Sequence, residues 1–161
     1  MTADLRIRAA GSADLPAVSR LAGALVRLHH GWDAQRFMLV DRVEEGYAWW
    51  FERELGNRDA VILVAEADGA VVGYAYGTVE ERDWNALLER AGWVHDVFVD
   101  PAARNRGVGR ALMQAVVAAL EARGVPRVVL LSAEQNAGAQ ALFASLGFRR
   151  TMVEMTRERA R

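Results

Sequence analysis

The run Val94-His-Asp-Val-Phe-Val-Asp-Pro-Ala-Ala-Arg104-Asn-Arg-Gly107-Val-Gly109-Arg-Ala-Leu-Met113 passes from an apolar strand through a proline-marked turn into an arginine- and glycine-bearing loop, then into a helix. Leu112, Met113, Val116, Val117 and Leu120 recur at the spacing of one buried helix face. The glycines therefore sit at a helix N-terminus, where first-turn amides have no intrahelical partner and the helix dipole adds partial positive charge. Without a Cβ, Gly107 and Gly109 allow backbone N–H groups to close around a phosphate. Arg104, Arg106 and Arg110 add cations suited to phosphate oxygens. By elementary physics this is a phosphate-binding turn.

Two familiar phosphate loops do not fit. A Walker loop ends in Gly-Lys-Ser/Thr, and this chain contains no lysine. A dinucleotide fingerprint needs a third glycine where Leu112 stands. The residues Arg104-Asn105-Arg106-Gly107-Val108-Gly109 instead resemble the acetyl-CoA loop of the GCN5-related N-acetyltransferases, Arg/Gln-x-x-Gly-x-Gly/Ala. That resemblance implies that Arg104 to Arg110 hold the CoA pyrophosphate. It also implies that the fourth and fifth strands splay apart, freeing the backbone of Val97, Phe98 and Val99 for pantetheine and for the thioester oxygen.

With 161 residues, 52% of them hydrophobic and 25% charged, the chain reads as one globular domain over 1–161 with a real core. A net charge of −1 gives no electrostatic case for nucleic acid or an anionic membrane as partner. The absence of cysteine excludes disulfides, thiolate metal sites and a cysteine nucleophile, and no metal is expected. No apolar run reaches membrane-spanning length and the N-terminus has no signal-peptide pattern, so a soluble cytoplasmic protein is the expectation.

Taken in order, Leu5 to Ala9 alternates as a half-buried strand, and Ser12 stands where it would cap a first helix ending near His29-His30-Gly31. Residues 32–40 read as a loop, Asp41 as the cap of a second helix reaching Leu55, and Gly56-Asn57 as its end. Ala60–Glu66 and Val71–Val79 form a hairpin about Asp68-Gly69. Glu80 to Gly92 is expected to hold a short helix in a crossing loop. Strand Trp93–Val99, the glycine loop and a helix to about Arg123 follow. Val128–Leu131 is a short apolar strand, Asn136 to Leu146 a helix, and Arg150–Thr156 a closing strand. This β-α-α-β-β-β-α-β-α-β order resembles the same acetyltransferase family over nearly the whole chain. It implies an α/β fold: a mixed, largely antiparallel central sheet, splayed between its fourth and fifth strands and flanked by helices.

A second family signature matches in part. Asn136 and Gly147-Phe148 are present, but Phe143 stands where many members carry a tyrosine thought to protonate the departing thiolate. Asn136 is read either as a CoA or bulge-carbonyl contact or as a helix cap. His95 and Asp96 are the candidates for general base, expected on opposite sides of their strand. His95 takes the place of a catalytic glutamate in some members; the alternative is a strand histidine bonded to neighbouring backbone. Asp96 reads more as a structural or substrate-orienting carboxylate. Glu80, with Glu81, is a rival that would hold a cationic acceptor or form a solvated turn.

His29-His30 is read as a helix-end pair without metal. The tryptophans at 32, 49, 50 and 84 offer an aromatic wall for the acceptor, against packing roles for at least half of the chain's five. The resemblance implies acetyl-CoA as cosubstrate, an unidentified amine as acceptor, direct transfer, and a possible homodimer. The alternatives are a CoA-binding sensor without catalysis, favoured by Phe143, and an enzyme acting on protein N-termini or lysines.

Overall fold

A computed structural model describes residues 4–160 of the chain. Five strands form one sheet: β1 (Arg6–Ala9), β2 (Ala60–Ala67), β3 (Ala70–Glu80), β4 (Ala91–Val99) and β5 (Val128–Leu130), lying in sequence order. The first four are antiparallel neighbours, and β5 joins β4 in parallel. Helices α1 (Leu15–Trp32) and α2 (Val43–Glu54) precede β2; α3 (Val108–Glu121) crosses from β4 to β5, and α4 (Ala137–Ser145) follows β5.

Alternation along the strands divides the core in two. From β2, Val61 and Ala65 face the fully buried Leu112, Met113, Val116 and Leu120 of α3. Ile62 and Val64 face Val18 and Leu21 of α1 and Phe51 of α2, with Tyr74, Tyr76 and Phe98 completing that layer. The Asp68-Gly69 hairpin forms as expected, with φ of 51° and 77° at its two centre residues.

Four local expectations need correction. Ser12 lies in a 3₁₀ turn (Ser12–Asp14) and caps nothing, because Asp14 takes the backbone N–H of Gly11 at 2.8 Å and the guanidinium of Arg8 at 2.7 Å. Those contacts hold the Asp14 carboxyl below its ordinary range, the Arg8 bond being the main cause. Asp41 does not cap α2; Arg42 precedes that helix with φ 55°, and Glu44 and Glu45 place negative charge in its first turn instead. Between β3 and β4 there is no helix. Asp83 and Leu88 exchange backbone bonds at 2.9 and 3.0 Å, and the Asp83 side chain accepts from Asn85 and Ala86. That Asx turn satisfies locally the groups a helix would have used. Lastly, Arg150–Thr156 is not a strand: residues 149–160 are irregular and exposed, pairing with no strand of the sheet.

The splay is visible in the ladder. β5 pairs with β4 only at Gly92, Trp93 and Val94, so from His95 to Val99 the outer edge of β4 has no strand beside it among the described residues.

Candidate active site

The site is built around a bulge. Tyr76 of β3 pairs with Asp96, yet the next residue, Gly77, pairs with Val94, leaving His95 as an extra residue on β4. A bulge re-aims side chains that strict alternation would send apart. His95 and Asp96 therefore both reach the α1–α2 side, against the alternation expected from sequence. His95 lies with its ring 5.3 Å from Tyr76 and stacks nearly parallel on Trp93 at 6.2 Å. The sequence signal was Gly77, where a Cβ would stand 2.6 Å from the carbonyl oxygen of Trp93.

Nε2 of His95 is 2.8 Å from the Thr78 hydroxyl and 3.0 Å from Glu80 Oε1, and that hydroxyl donates to Glu80 at 2.9 Å. With its hydrogen given to Glu80, the Thr78 oxygen accepts. Nε2 therefore carries the ring proton and Nδ1 keeps the lone pair. Beside it, Asp96 accepts the hydroxyl of the fully buried Tyr74 at 3.0 Å. Burial pushes the Asp96 carboxyl above its ordinary pKa of 3.8; the Tyr74 bond and the nearby His95 and His29 pull partly the other way. Burial, with Asp96 adding to it, raises the Tyr47 phenol to about 12.

Two clefts open on this pair. One, of ≈ 500 Å³, lies along the splay, between Val97, Ser132, Asn136 and Phe143 on one side and His29 and Phe37 on the other. The second, of ≈ 560 Å³, lies between α2 and β3 and is lined by Trp50, Glu54, Asp59, Tyr76, Thr78 and Glu80. Tyr47, His95 and Asp96 line both. Tyr47 is a site residue that the sequence analysis does not single out. The spacing Tyr47-Trp50-Glu54 along one face of α2 was the available signal. Of the expected tryptophan wall only Trp50 lines the second cleft, whereas Trp49 and Trp84 are exposed beneath the guanidinium groups of Arg53 and Arg82.

The glycine loop lies at the other end of β4. Asn105 and Gly107 adopt left-handed φ of 60° and 79°, and α3 begins at Val108 with no side chain capping it. Consecutive backbone N–H groups in such a turn make an anion-binding concavity. Apart from its two chain neighbours, nothing in the protein lies within 4 Å of where a Cβ on Gly107 would sit, so the space before the loop is open. Arg104 donates to the Val99 carbonyl at 3.1 Å and lies over Phe98, while Arg110 donates to Ser145 of α4 at 2.8 Å. Arg106 makes no ion pair among the described residues. Asn136 caps α4, accepting from Ala139 at 3.2 Å, and also lines the first cleft. Phe143 is buried against Phe148 and also lines the first cleft.

The profile of the acetyltransferase (GNAT) family matches residues 25–148. The chain belongs to that family. It is 38% identical over 110 residues to a mycothiol acetyltransferase of Amycolatopsis mediterranei, covering 68% of this chain and 34% of that one. The chain thus spans about a third of the length of that relative. It is 30% identical over 145 residues to an L-methionine sulfoximine/L-methionine sulfone acetyltransferase of Pseudomonas aeruginosa, covering 88% of this chain and 78% of that one. Among solved structures, aminoglycoside N-acetyltransferase AAC(6′)-Iy in complex with CoA superposes with a TM-score of 0.80 at 21% identity, covering 99% and 98% of the two chains. At that identity the match shows a shared fold: the GNAT sheet, open between its fourth and fifth strands.

The buried carboxylate makes a stability prediction. Because folding raises the Asp96 pKa, the stabilising contribution of its protonated form is complete below 3.8 and lost as pH rises through the folded value. At neutral pH the ionised group is a burden that Asn, still able to accept from Tyr74, lacks. Asp96→Asn is therefore expected to melt higher at pH 7 by about 2–4 °C, the shift that about 1 kcal/mol produces in a chain of this size. The difference should shrink toward acid pH. Thermal melts of both proteins across pH check this, and a variant that melts lower at pH 7 would count against it.

Proposed function

We propose that this protein is an N-acetyltransferase that moves an acetyl group from acetyl-CoA to a cationic amine by direct transfer. The observation that carries the reading is the meeting of two clefts at His95, Asp96 and Tyr47. Each cleft fits one substrate. The open glycine loop with the first-turn amides of α3 and Arg106 suits the CoA pyrophosphate, and the free edge of Val97 to Val99 suits the pantetheine amides. The second cleft carries the carboxylates of Glu54, Asp59, Glu80 and Asp96 and no arginine, which favours an ammonium-bearing acceptor.

Within this reading Asp96 holds the acceptor ammonium at the junction, and Nδ1 of His95 takes its proton. Glu80 and Thr78 at Nε2 then stabilise the imidazolium. The freed nitrogen lone pair forms the C–N bond at the thioester carbon, the nitrogen passes its second proton to water, the C–S bond breaks, and the neutral amide and the CoA thiolate result. The thiolate takes its proton from solvent, since Phe143 offers no hydroxyl. With no cysteine in the chain, direct transfer needs no enzyme thioester. The names of the acetyltransferase relatives support the reaction class.

The test is CoA thiol release from acetyl-CoA over a panel of polyamines, amino acids, aminoglycosides and short peptides, with an acceptor-free blank. Acceptor-dependent release, strongest for amines bearing a second positive charge, is the expected result. Phe143 favours the rival reading, a CoA-binding module without catalysis. Tight CoA binding with no release above the blank for any amine would select that rival.

A further inference from the structure

We infer that His29 is the group through which solvent delivers the proton to the CoA thiolate: Nε2–H of its imidazolium protonates the sulfur as the C–S bond breaks, and water restores the proton of the ring. The inference rests on the transferase reading above. It adds a second imidazole to the site, on the CoA side of the junction. The two adjacent histidines near the end of α1 take separate tasks. His30 gives its Nδ1 hydrogen to the Phe37 carbonyl at 2.8 Å, tying the loop after α1 back to the helix, and lines neither cleft. His29 lines the first cleft and not the second.

His29 gives its Nδ1 hydrogen to the Leu25 carbonyl, one helical turn back, at 2.9 Å. A carbonyl oxygen only accepts, so proton exchange at this ring runs through Nε2. Nε2 has no hydrogen-bond partner among the described residues, where no buried side-chain nitrogen or oxygen goes unpartnered. It therefore meets open space, and the space that this residue lines is the first cleft. The rings of Trp32 and Phe37 meet the imidazole edge-on, each centroid 4.9 Å away. Held at Nδ1 and packed by two aromatics, the ring keeps Nε2 aimed one way.

Across the cleft stand Val97, Ser132 and Phe143. CoA laid along the free edge of Val97 to Val99 carries its sulfur toward Asp96. His29 lies near enough to Asp96 to lower the pKa of that carboxyl, as His95 does. Each substrate thus has an imidazole of its own, His95 for the amine and His29 for the sulfur. His95 keeps the amine's proton with Glu80 facing it, so the proton of the sulfur comes from elsewhere. Among the other groups lining the first cleft, burial raises the Tyr47 phenol to about 12, and Arg36 does not release its proton. An imidazolium suits the task, since a thiol's ordinary pKa of about 8.5 lies above imidazole's of about 6.5. The protons balance. The amine loses one to His95 and one to water, the sulfur gains one from His29, and once water has reset both rings one proton has passed to solvent.

His29→Asn keeps a donor for the Leu25 carbonyl and removes Nε2, so it separates proton transfer from packing. In single-turnover mixing of acetyl-CoA with the best amine, it is expected to slow the chemical step about 10²-fold, the low end of what a positioned acid contributes. KM for the amine, affinity for CoA and melting temperature should stay close to those of the parent. Nitrogen-15 spectra of the histidine rings give a second readout that needs no turnover. CoA is expected to shift the Nε2 resonance of His29, and desulfo-CoA, which lacks the sulfur, to leave it in place. An undiminished rate in His29→Asn, a loss borne by KM or melting temperature instead, or an Nε2 resonance indifferent to the sulfur would each overturn the inference and leave the transferase reading standing. No acceptor-dependent release from the parent with any amine would remove that reading, and this step with it.

Discussion

Gly107→Val is expected to yield a folded protein that has lost its hold on CoA, with affinity down about 100-fold, or about 2.7 kcal/mol. The backbone there has φ 79°, and apart from the two chain neighbours nothing in the protein lies within 4 Å of the missing Cβ. The protein itself leaves that space empty, so a branched side chain collides only with a ligand approaching the amides of the α3 first turn. Left-handed φ adds about 1–2 kcal/mol of strain for a residue with a Cβ, so melting must be followed beside binding. Gly109→Ala supplies the control. Its Cβ would meet Leu142 and Val99 at 3.6 and 3.8 Å, ordinary contact distances, and alanine stands at this place in the loop pattern. Isothermal titration with CoA should show Gly109→Ala binding as the parent does and Gly107→Val binding weakly. Equal affinity in Gly107→Val and the parent would remove the loop from the CoA site.

That loop was legible in the sequence because every signal for it is local. Glycine conformation, helix periodicity and the strand before it lie within twenty-seven consecutive residues, Val94 to Leu120. The hairpin at Asp68-Gly69 was legible for the same reason. Features set by pairing between distant segments were not. The bulge at His95 depends on how β4 meets Gly77, and alternation read along β4 alone separates His95 from Asp96 when the fold brings them to one side. Tyr47 was not legible as a site residue because its helical spacing does not say that the space it faces is a cleft. The segment 151–156 carries strand propensity, but propensity makes a strand only where an edge is available, and its own sheet offers none that it uses. Glu80 to Gly92 failed differently: three isolated apolar residues resembled a helix face, while Asp83 was free to bond its own following backbone.

His95→Ala is expected to lower kcat by about 10²- to 10⁴-fold, the range that a positioned acid or base contributes. CoA affinity should stay within about twofold, since nothing at the glycine loop touches this ring. What the substitution removes is the lone pair of Nδ1. Thr78 donates to Glu80, Nε2 donates in turn, and Nδ1 is left as the basic atom of a ring that lines both clefts. Thr78→Val removes the oxygen that fixes this tautomer but keeps the imidazole, so its loss in kcat should be real and smaller, with little change in KM. Glu80→Gln removes the charge facing the imidazolium and should fall between the two. A graded series in kcat, with donor binding constant throughout, is what a positioned base produces. A histidine serving only to fill space between Tyr76 and Trp93 would instead show itself in melting temperature, with the three variants ranked by packing lost. Wild-type turnover in His95→Ala would pass the proton to the Asp96 carboxylate, whose burial already sets its pKa above the ordinary range. The acid limb of kcat/KM would then disappear in Asp96→Asn and persist in His95→Ala.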